Sequence, residues 1–251
     1  MDRLIHTALS TLRISSHGDT IHANNLAQAS VPGFRRDLET VSQVKFLEGS
    51  DQLRSRAFTI REPGNAFSPD SGEIRHTQVS TDVAINGDGY FIIQREDRVP
   101  ELSRRGDLRV NPENQLVDGA NALMLDNNLQ PITLPQFRDI AIGEDGRITI
   151  TPIGGEPGET VEAGFLGTTL AEGAALGKSE DGGIRLADGT LPVADQRSQI
   201  LNGALETSNV NPVEELVDTL KRQREYELNV KLISIARDLD EAGASIMRMP
   251  N

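Results

Sequence analysis

Four histidines, His6, His17, His22 and His76, are the first candidates for chemistry in this 251-residue chain, and their spacing argues against it. His6, His17 and His22 fall eleven and five residues apart, intervals that do not gather three imidazoles at one metal site on a helix. They read as solvated helix residues. No Ser-His-Asp nucleophile pattern and no His-x-x-Glu-His-type motif is present. Gly87-Asp88-Gly89 lacks the third glycine and following helix of a dinucleotide site. Gly154-Gly155-Glu156-Pro157-Gly158 lacks the Lys-Ser/Thr of a phosphate loop, and both stretches read as turns. Asp82, Asn86 and Asp88 do not follow the alternation of a calcium loop and have no closing Glu. Arg35-Arg36 is too short to track phosphates and is expected to pair with acidic neighbours.

Composition points the same way. With no cysteine there is neither a thiolate metal site nor a disulfide. A net charge of −13 and a pI near 4.8 argue against nucleic acid as the main ligand. Aromatic content of 4 %, with no Trp, is sparse for a ligand-binding enzyme. The expectation is no catalytic residue, no cofactor, no metal and no small-molecule substrate. The start, Met1 to His6, lacks the apolar core of a secretory signal, and no apolar run reaches membrane-spanning length. Composition alone therefore predicts a soluble cytoplasmic protein without membrane insertion.

With no chemistry to position, the elements themselves carry the information. From Asn209 to Met249, the row Val213, Val217, Leu220, Arg224, Leu228, Leu232, Ile235, Leu239, Ala242 and Ile246 follows three- and four-residue steps. Nine of the ten are apolar, the seam of a helix able to join a coiled coil. Asn211 suits the N-cap, Pro212 the first turn, Glu214 a capping box, and Pro250 ends the run. A second row, Ile5, Leu9, Leu12, Ser16, Asp19, Ala23 and Leu26, predicts an N-terminal helix from about Asp2 to Ala29. Pro32 and Gly33 stop it, with Gly33 expected to take positive φ and act as a hinge.

Between the helices the texture changes. Residues 34–78 show no period and read as an extended linker with a short hairpin. From about Val79, short β-branched runs alternate with turns at Asn86-Gly87-Asp88-Gly89, Asp118-Gly119, Asp126-Asn127-Asn128, Asp145-Gly146 and Asp188-Gly189. Val83 to Ile85 and Tyr90 to Gln94 flank the first of these and predict a hairpin. The fold expected is α+β: long N- and C-terminal helices pairing as a coiled coil, with an inserted small all-β antiparallel domain. The segments are 1–33 (first helix), 34–78 (linker), 79–200 (β domain) and 201–251 (second helix).

Three stretches together resemble the rod–hook family of bacterial flagella. Ala23-Asn24-Asn25-Leu26-Ala27-Gln28-Ala29-Ser30-Val31-Pro32-Gly33-Phe34 is similar to the family's N-terminal signature. Asp82 to Phe91, followed by Ser103-Arg104-Arg105-Gly106, resembles the opening of its β domain. Leu205 to Leu216, then Gln223 to Glu227, resembles its C-terminal signature. Gln28, Val31 and Leu102 depart from the usual Asn, Thr and Tyr. The resemblance implies a structural subunit of the basal-body rod, exported through the flagellar export apparatus without a cleaved signal and placed in the periplasm. Its partners would be copies of itself and other proximal- and distal-rod proteins. The opening Met1-Asp2 with Thr7-Ala8, the Val31-to-Arg35 stretch and the short linker before the β domain favour the proximal-rod branch, with the distal branch as the alternative. The implied assembly interface comprises Leu9, Leu12, Leu26, Val217, Leu220, Arg224, Leu228, Leu232, Ile235 and Leu239 from the seams. The signatures add Asn24, Asn25, Gly33, Phe34, Asn209 and Pro212. An acidic periplasmic enzyme and a soluble adaptor dimerising through its coiled coil are the competing classes.

Overall fold

The computed structural model describes residues 2–39, 43–47, 56–60, 66–96, 98–154, 159–179 and 181–247. It is mainly antiparallel β with a helix at each end. The chain divides into a helical unit (Met1–Ala27, Asp37–Pro63 and Asn211–Asn251) and a β unit (Gln28–Arg36 and Gly64–Val210). No described helix is long and apolar enough to cross a membrane.

The helical unit holds α1 (Asp2–Ala27), a hairpin of β1 (Gln43–Leu47) and β2 (Arg56–Ile60), and α2 (Pro212–Met247). The start of α2 is built as its sequence suggests. Asn211 Oδ1 accepts from the backbone N–H of Val213 at 3.1 Å and of Glu214 at 3.4 Å, and Glu214 and Glu215 sit in the first turn, where the helix dipole favours negative charge. Replacing Asn211 with Ala is expected to cost about 1 kcal/mol of helix stability, read as a loss of ellipticity on heating that leaves β-unit signals unchanged.

The expected α+β fold with a long apolar coiled coil is overturned here. The face of α2 that meets α1 carries Glu215, fully buried, and Arg222. The row read as the seam lies on the opposite side of the helix. Val213 is 69 % exposed, Leu228 62 % and Leu232 58 %. Among the described side chains of α1 the buried positions are Ser15, Gly18, Ile21, His22 and Asn25, while Ser16, Ala23 and Leu26 of the expected seam are exposed. The apolar periodicity was real, but it marks the face turned away from the chain's own helix. Periodicity shows which side of a helix is apolar and says nothing of what covers it.

The β unit runs β3 (Ile74–His76), β4 (Val83–Asn86), β5 (Tyr90–Gln94), β6 (Glu101–Ser103), β7 (Arg109–Val110), β8 (Leu116–Val117), β9 (Leu123–Met124), β10 (Phe137–Ile142), β11 (Arg147–Pro152), β12 (Val161–Phe165), β13 (Thr168–Thr169), β14 (Leu176–Lys178), β15 (Ile184–Leu186), β16 (Gln199–Asn202) and β17 (Ala204–Glu206). The largest sheet has the order β14-β15-β6-β5-β9-β8-β7, with β13 also on β5. β10-β11-β12 form a second sheet, and β16–β4 and β17–β3 form two pairs. The hairpin expected across Asn86 to Gly89 is not made. β4 pairs β16, with Ile85 opposite Ile200, whereas β5 pairs β6, β9 and β13. Gly87 (φ +82°) and Gly89 (φ +125°) turn the chain from one sheet to another, a conformation that glycine adopts without a Cβ penalty.

β5 explains why its residues form an unbroken apolar run. Phe91 and Ile93 enter a core with Val83, Ile85, Leu116, Met124, Ile148, Ile150, Leu166 and Ile200. Tyr90 and Ile92, on the other face, enter a second cluster with Leu102, Leu125 and Ile184. A strand buried on both faces loses the polar alternation of a surface strand. Burial also raises the Tyr90 hydroxyl pKa above its ordinary value.

Candidate functional site

Among the described residues the titratable groups form no catalytic constellation. Among the described residues no group of three or more His, Asp or Glu could hold a metal ion. His22 Nδ1 lies 2.5 Å from Glu215 Oε2, and His76 is exposed on β3. Asp82 bridges to Asp107, and the Asn86 amide donates to Gln199. Glu101 is fully buried, with Arg95 Nε at 2.7 Å and Arg185 Nη2 at 3.0 Å. Burial outweighs these arginines and pushes its carboxyl above the usual carboxylate range.

Asp118 is the other raised carboxyl, again through burial, against the lowering effect of the Ala122 and Ala120 N–H groups that bond its Oδ1. Its contribution to stability is fully present below the unfolded pKa and is lost as pH rises through the folded pKa. Asparagine keeps the acceptor and removes the buried charge. Asp118→Asn is therefore expected to raise the urea midpoint at neutral pH, the gain shrinking as pH falls toward about 3, below the unfolded pKa, where the wild-type carboxyl is mostly neutral in both states. A constant difference across that range would contradict the assignment.

The first feature with functional character is the outward face of α2. Val213, Leu216, Val217, Leu220, Leu228, Leu232 and Ile235 are all exposed large apolar side chains, and Arg224 interrupts the row, itself exposed. Leu9, Leu12 and Leu239 are helical, but their side chains lie outside the described residues. Pro212 occupies the first helical position and is exposed. Behind this face the helical unit is held by polar contacts. Asn25, fully buried, donates from Nδ2 to Asp37 O at 3.0 Å and to Glu215 Oε1 at 3.4 Å, and its Oδ1 accepts from Asp37 N–H at 2.8 Å. Asn24 Nδ2 donates to Asp37 Oδ2 at 2.8 Å, and Arg222 pairs with Glu39. A Cβ at Gly18 would displace the Arg222 guanidinium that pairs with Glu39. The two signature asparagines thus hold the helical unit together, and Leu26 beside them is exposed.

The second feature lies in the β unit, where the signature residues Gly33, Phe34 and Asn209 meet. Gly33 takes φ +66°, and its N–H donates to Glu206 O at 2.8 Å. It was expected to be a hinge, yet it is pinned: a Cβ would overlap the backbone carbonyl of Arg104 and stand 2.6 Å from Arg105 N. Asn209 N–H donates to Phe34 O at 3.3 Å, Asn209 Oδ1 accepts from Arg36 N–H at 2.7 Å, and Asn209 Nδ2 donates to Asp70 O at 2.8 Å. Lys178 Nζ stands 3.9 Å over the Phe34 ring and donates to Arg35 O at 2.9 Å. Beneath them, Arg35 Nη1 lies 2.6 Å from Glu206 Oε1, and Arg104 Nε lies 3.4 Å from Glu206 Oε2. Burial lowers the Arg104 pKa from its usual value, with Glu206 opposing it. Arg35 was expected to pair with an acid, but Glu206, Arg104 and Lys178 were not foreseen as its company. Arg104 and Glu206 belong to the three similar stretches, which say that residues recur and not that they touch, and Lys178 lies outside all three.

Comparison with known proteins follows these same stretches. The family model for the flagellar basal body rod FlgEFG protein C-terminal region matches residues 201–246, and that for the flagellar hook protein FlgE/F/G D1 domain matches residues 84–150. The flagellar basal-body rod protein FlgF of Salmonella typhimurium is 32 % identical over 240 residues, 93 % of this chain and 94 % of its own. FlgF of Escherichia coli is 32 % identical over 246 residues, 95 % of each chain. FlgG, the flagellar basal-body rod protein of Buchnera aphidicola subsp. Baizongia pistaciae, is 30 % identical over 239 residues, 85 % of this chain and 88 % of its own.

Proposed function

This chain belongs to the flagellar basal-body rod protein family, and from that premise we propose that it enters the rod through the outward apolar face of α2. It is a structural subunit of the bacterial basal body. The single observation that carries the assembly reading is the row from Val213 to Ile235, apolar and exposed on a helix whose inner face is polar. Each side chain gains up to about 1.5–3 kcal/mol on going from full exposure to full burial, roughly half of that for these half-exposed ones. Several together offset the entropy of ordering a subunit in a tube. The interface in this reading comprises Leu9, Leu12, Leu26, Val217, Leu220, Arg224, Leu228, Leu232, Ile235 and Leu239. Asn24 and Asn25 tie the helical unit together, Gly33, Phe34 and Asn209 tie segments of the β unit together, and Pro212 opens α2.

The finer assignment is the proximal rod. Support comes from the two FlgF relatives named above, 32 % identical over 93–95 % of this chain, where one FlgG relative is 30 % identical over 85 % of it and another 27 % over 95 %. The subunit stacks with copies of itself and with other rod proteins in a tube that transmits torque, performs no catalysis, and reaches the periplasm through the flagellar export apparatus. The soluble adaptor alternative required an apolar coiled-coil arm, which the polar α1–α2 contact does not supply.

The chain has no cysteine, so a single introduced thiol reports one position cleanly. Leu228→Cys in purified basal bodies is expected to cross-link to another rod subunit, whereas Asn128→Cys on an exposed turn serves as the comparison. Equal yields at both positions would refute the interface, and absence of the chain from purified basal bodies would refute the rod assignment itself.

A further inference from the structure

We propose that Arg35, Glu206 and Arg104 form a positioning clamp, in which one buried carboxylate held by two guanidiniums sets the register between the two segments by which the chain enters and leaves the β unit. These segments are residues 31–36 and 204–209. They are joined by three bonds, from Gly33 N–H to Glu206 O, Asn209 N–H to Phe34 O and Arg36 N–H to Asn209 Oδ1. Three such bonds do not by themselves choose a register, because a shifted pairing can form similar ones. The charges do choose. The Arg35 and Glu206 side chains are each 1 % exposed, so a slip of one segment past the other would strand both without a counter-charge in the interior.

The clamp also reads stretches beyond those two. Glu206 Oε1 accepts from Gly72 N–H at 3.0 Å. Arg35 Nη1 donates to Asp70 O. Arg104 Nη1 donates to Ile85 O at 3.2 Å and Nη2 to Gly87 O, at the corner between β4 and β5. Glu206 is thereby fixed against the 70–72 turn, the 85–87 corner and the incoming segment. A buried ion triad stabilises little compared with an apolar core, and its best-attested use is to specify one arrangement among several. Stability of the β unit rests on Phe91 and its neighbours, which lie in a separate cluster. Arg35 and Glu206 are positioning residues. The count of charges adds an asymmetry: removing Arg35 leaves a neutral Arg104–Glu206 pair, whereas removing Glu206 leaves two cations uncompensated.

The test is amide hydrogen exchange on the intact, unassembled chain carrying Arg35→Met. The N–H groups of Gly33, Arg36 and Asn209 are expected to exchange at least about tenfold faster, while those of Phe91 and Ile93 stay within about twofold of the parent. Equal acceleration in both sets would make Arg35 a contributor to global stability only, and no acceleration at the first set would remove the clamp; either result overturns the proposal. Should Arg35→Met fail to fold, Arg35→Lys, which keeps the charge but not the fork, is expected to show a smaller acceleration confined to the same three amides, and uniform or absent acceleration overturns the proposal again. Glu206→Gln is expected to lower the urea midpoint more than Arg35→Met, and the reverse order contradicts the charge count.

Discussion

A subunit carrying Leu232→Asp is expected to fold normally and to be missing from rods. Leu232 is 58 % exposed in the free chain, in the middle of the outward row of α2. A substitution at such a surface position changes the stability of the free subunit by no more than about 0.5 kcal/mol. In the rod the same position is covered by a neighbour on the proposed reading. A carboxylate buried there without a partner costs several kcal/mol, of order the full gain from two or three buried leucines. The two states therefore respond oppositely to one change, which no fault in folding reproduces. Thermal unfolding of the purified variant should match the parent. Export should be unchanged when the protein is assayed in the medium of a strain that cannot assemble rods. Motility and recovery in basal bodies should be lost. Leu232→Met, apolar and of similar volume, should restore both. Rods containing Leu232→Asp at normal stoichiometry would show that this face is not an assembly element.

That prediction changed its basis between sequence and structure. The three- and four-residue steps of Val213, Val217, Leu220 and Leu228 predicted a helix with an apolar stripe, and α2 has both. The pairing of the stripe with the chain's own N-terminal helix is overturned because two features mimic a coiled coil in sequence. Two amphipathic helices at opposite ends invite pairing, and among the described residues those that pair them are, besides Ile21, polar or small: Gly18, His22, Asn25, Glu215 and Arg222. Buried polar contacts have no periodic signature, since each depends on a specific partner far away in the chain. In the β unit the turns were legible because they depend on local backbone chemistry. Gly146 and Gly189 take φ +80° and +74° after Asp145 and Asp188, as the dipeptides suggested. Strand partners were not, because β4 chooses β16 rather than its neighbour β5, and alternation within a strand cannot report which distant edge it meets. The candidate site shows the same division. Asn211 and Pro212 announced a helix start by local rules, whereas the Arg35–Glu206 pair joins residues that only the completed fold brings together.

Gly33→Val is expected to be among the most damaging single changes in the β unit, for three reasons that act at one atom. The first is the backbone. At φ +66° a β-branched residue sits in the left-handed region, which costs about 1–3 kcal/mol. The second is space. A Cβ at this position overlaps the Arg104 carbonyl, and backbone cannot swing aside as a flexible side chain would. The third is what the displaced segment carries with it. Moving residue 33 breaks its N–H bond to Glu206 O and draws Arg35 off Glu206, and breaking a buried ion pair costs about 3–5 kcal/mol. These terms overlap, because a single displacement relieves the strain and breaks the pair, so they do not add. The chain takes whichever route is cheaper, and the larger single term sets a loss of about 3 kcal/mol or more if the segment stays docked. Against a domain stability of about 5–15 kcal/mol, the core around Phe91 survives this loss, and the cheaper route is release of residues 31–36. The expected result is a folded β core by circular dichroism, new protease cleavage between Ser30 and Arg36, and no incorporation into rods. Gly33→Ala shares the overlap and much of the φ cost, so it should fail in the same direction by a smaller margin. Gly87→Ala, at φ +82° with open space around it, isolates the backbone cost and should lose only about 1 kcal/mol. If Gly33→Val lowers stability no more than Gly87→Ala, the close approach to Arg104 is not what fixes this turn.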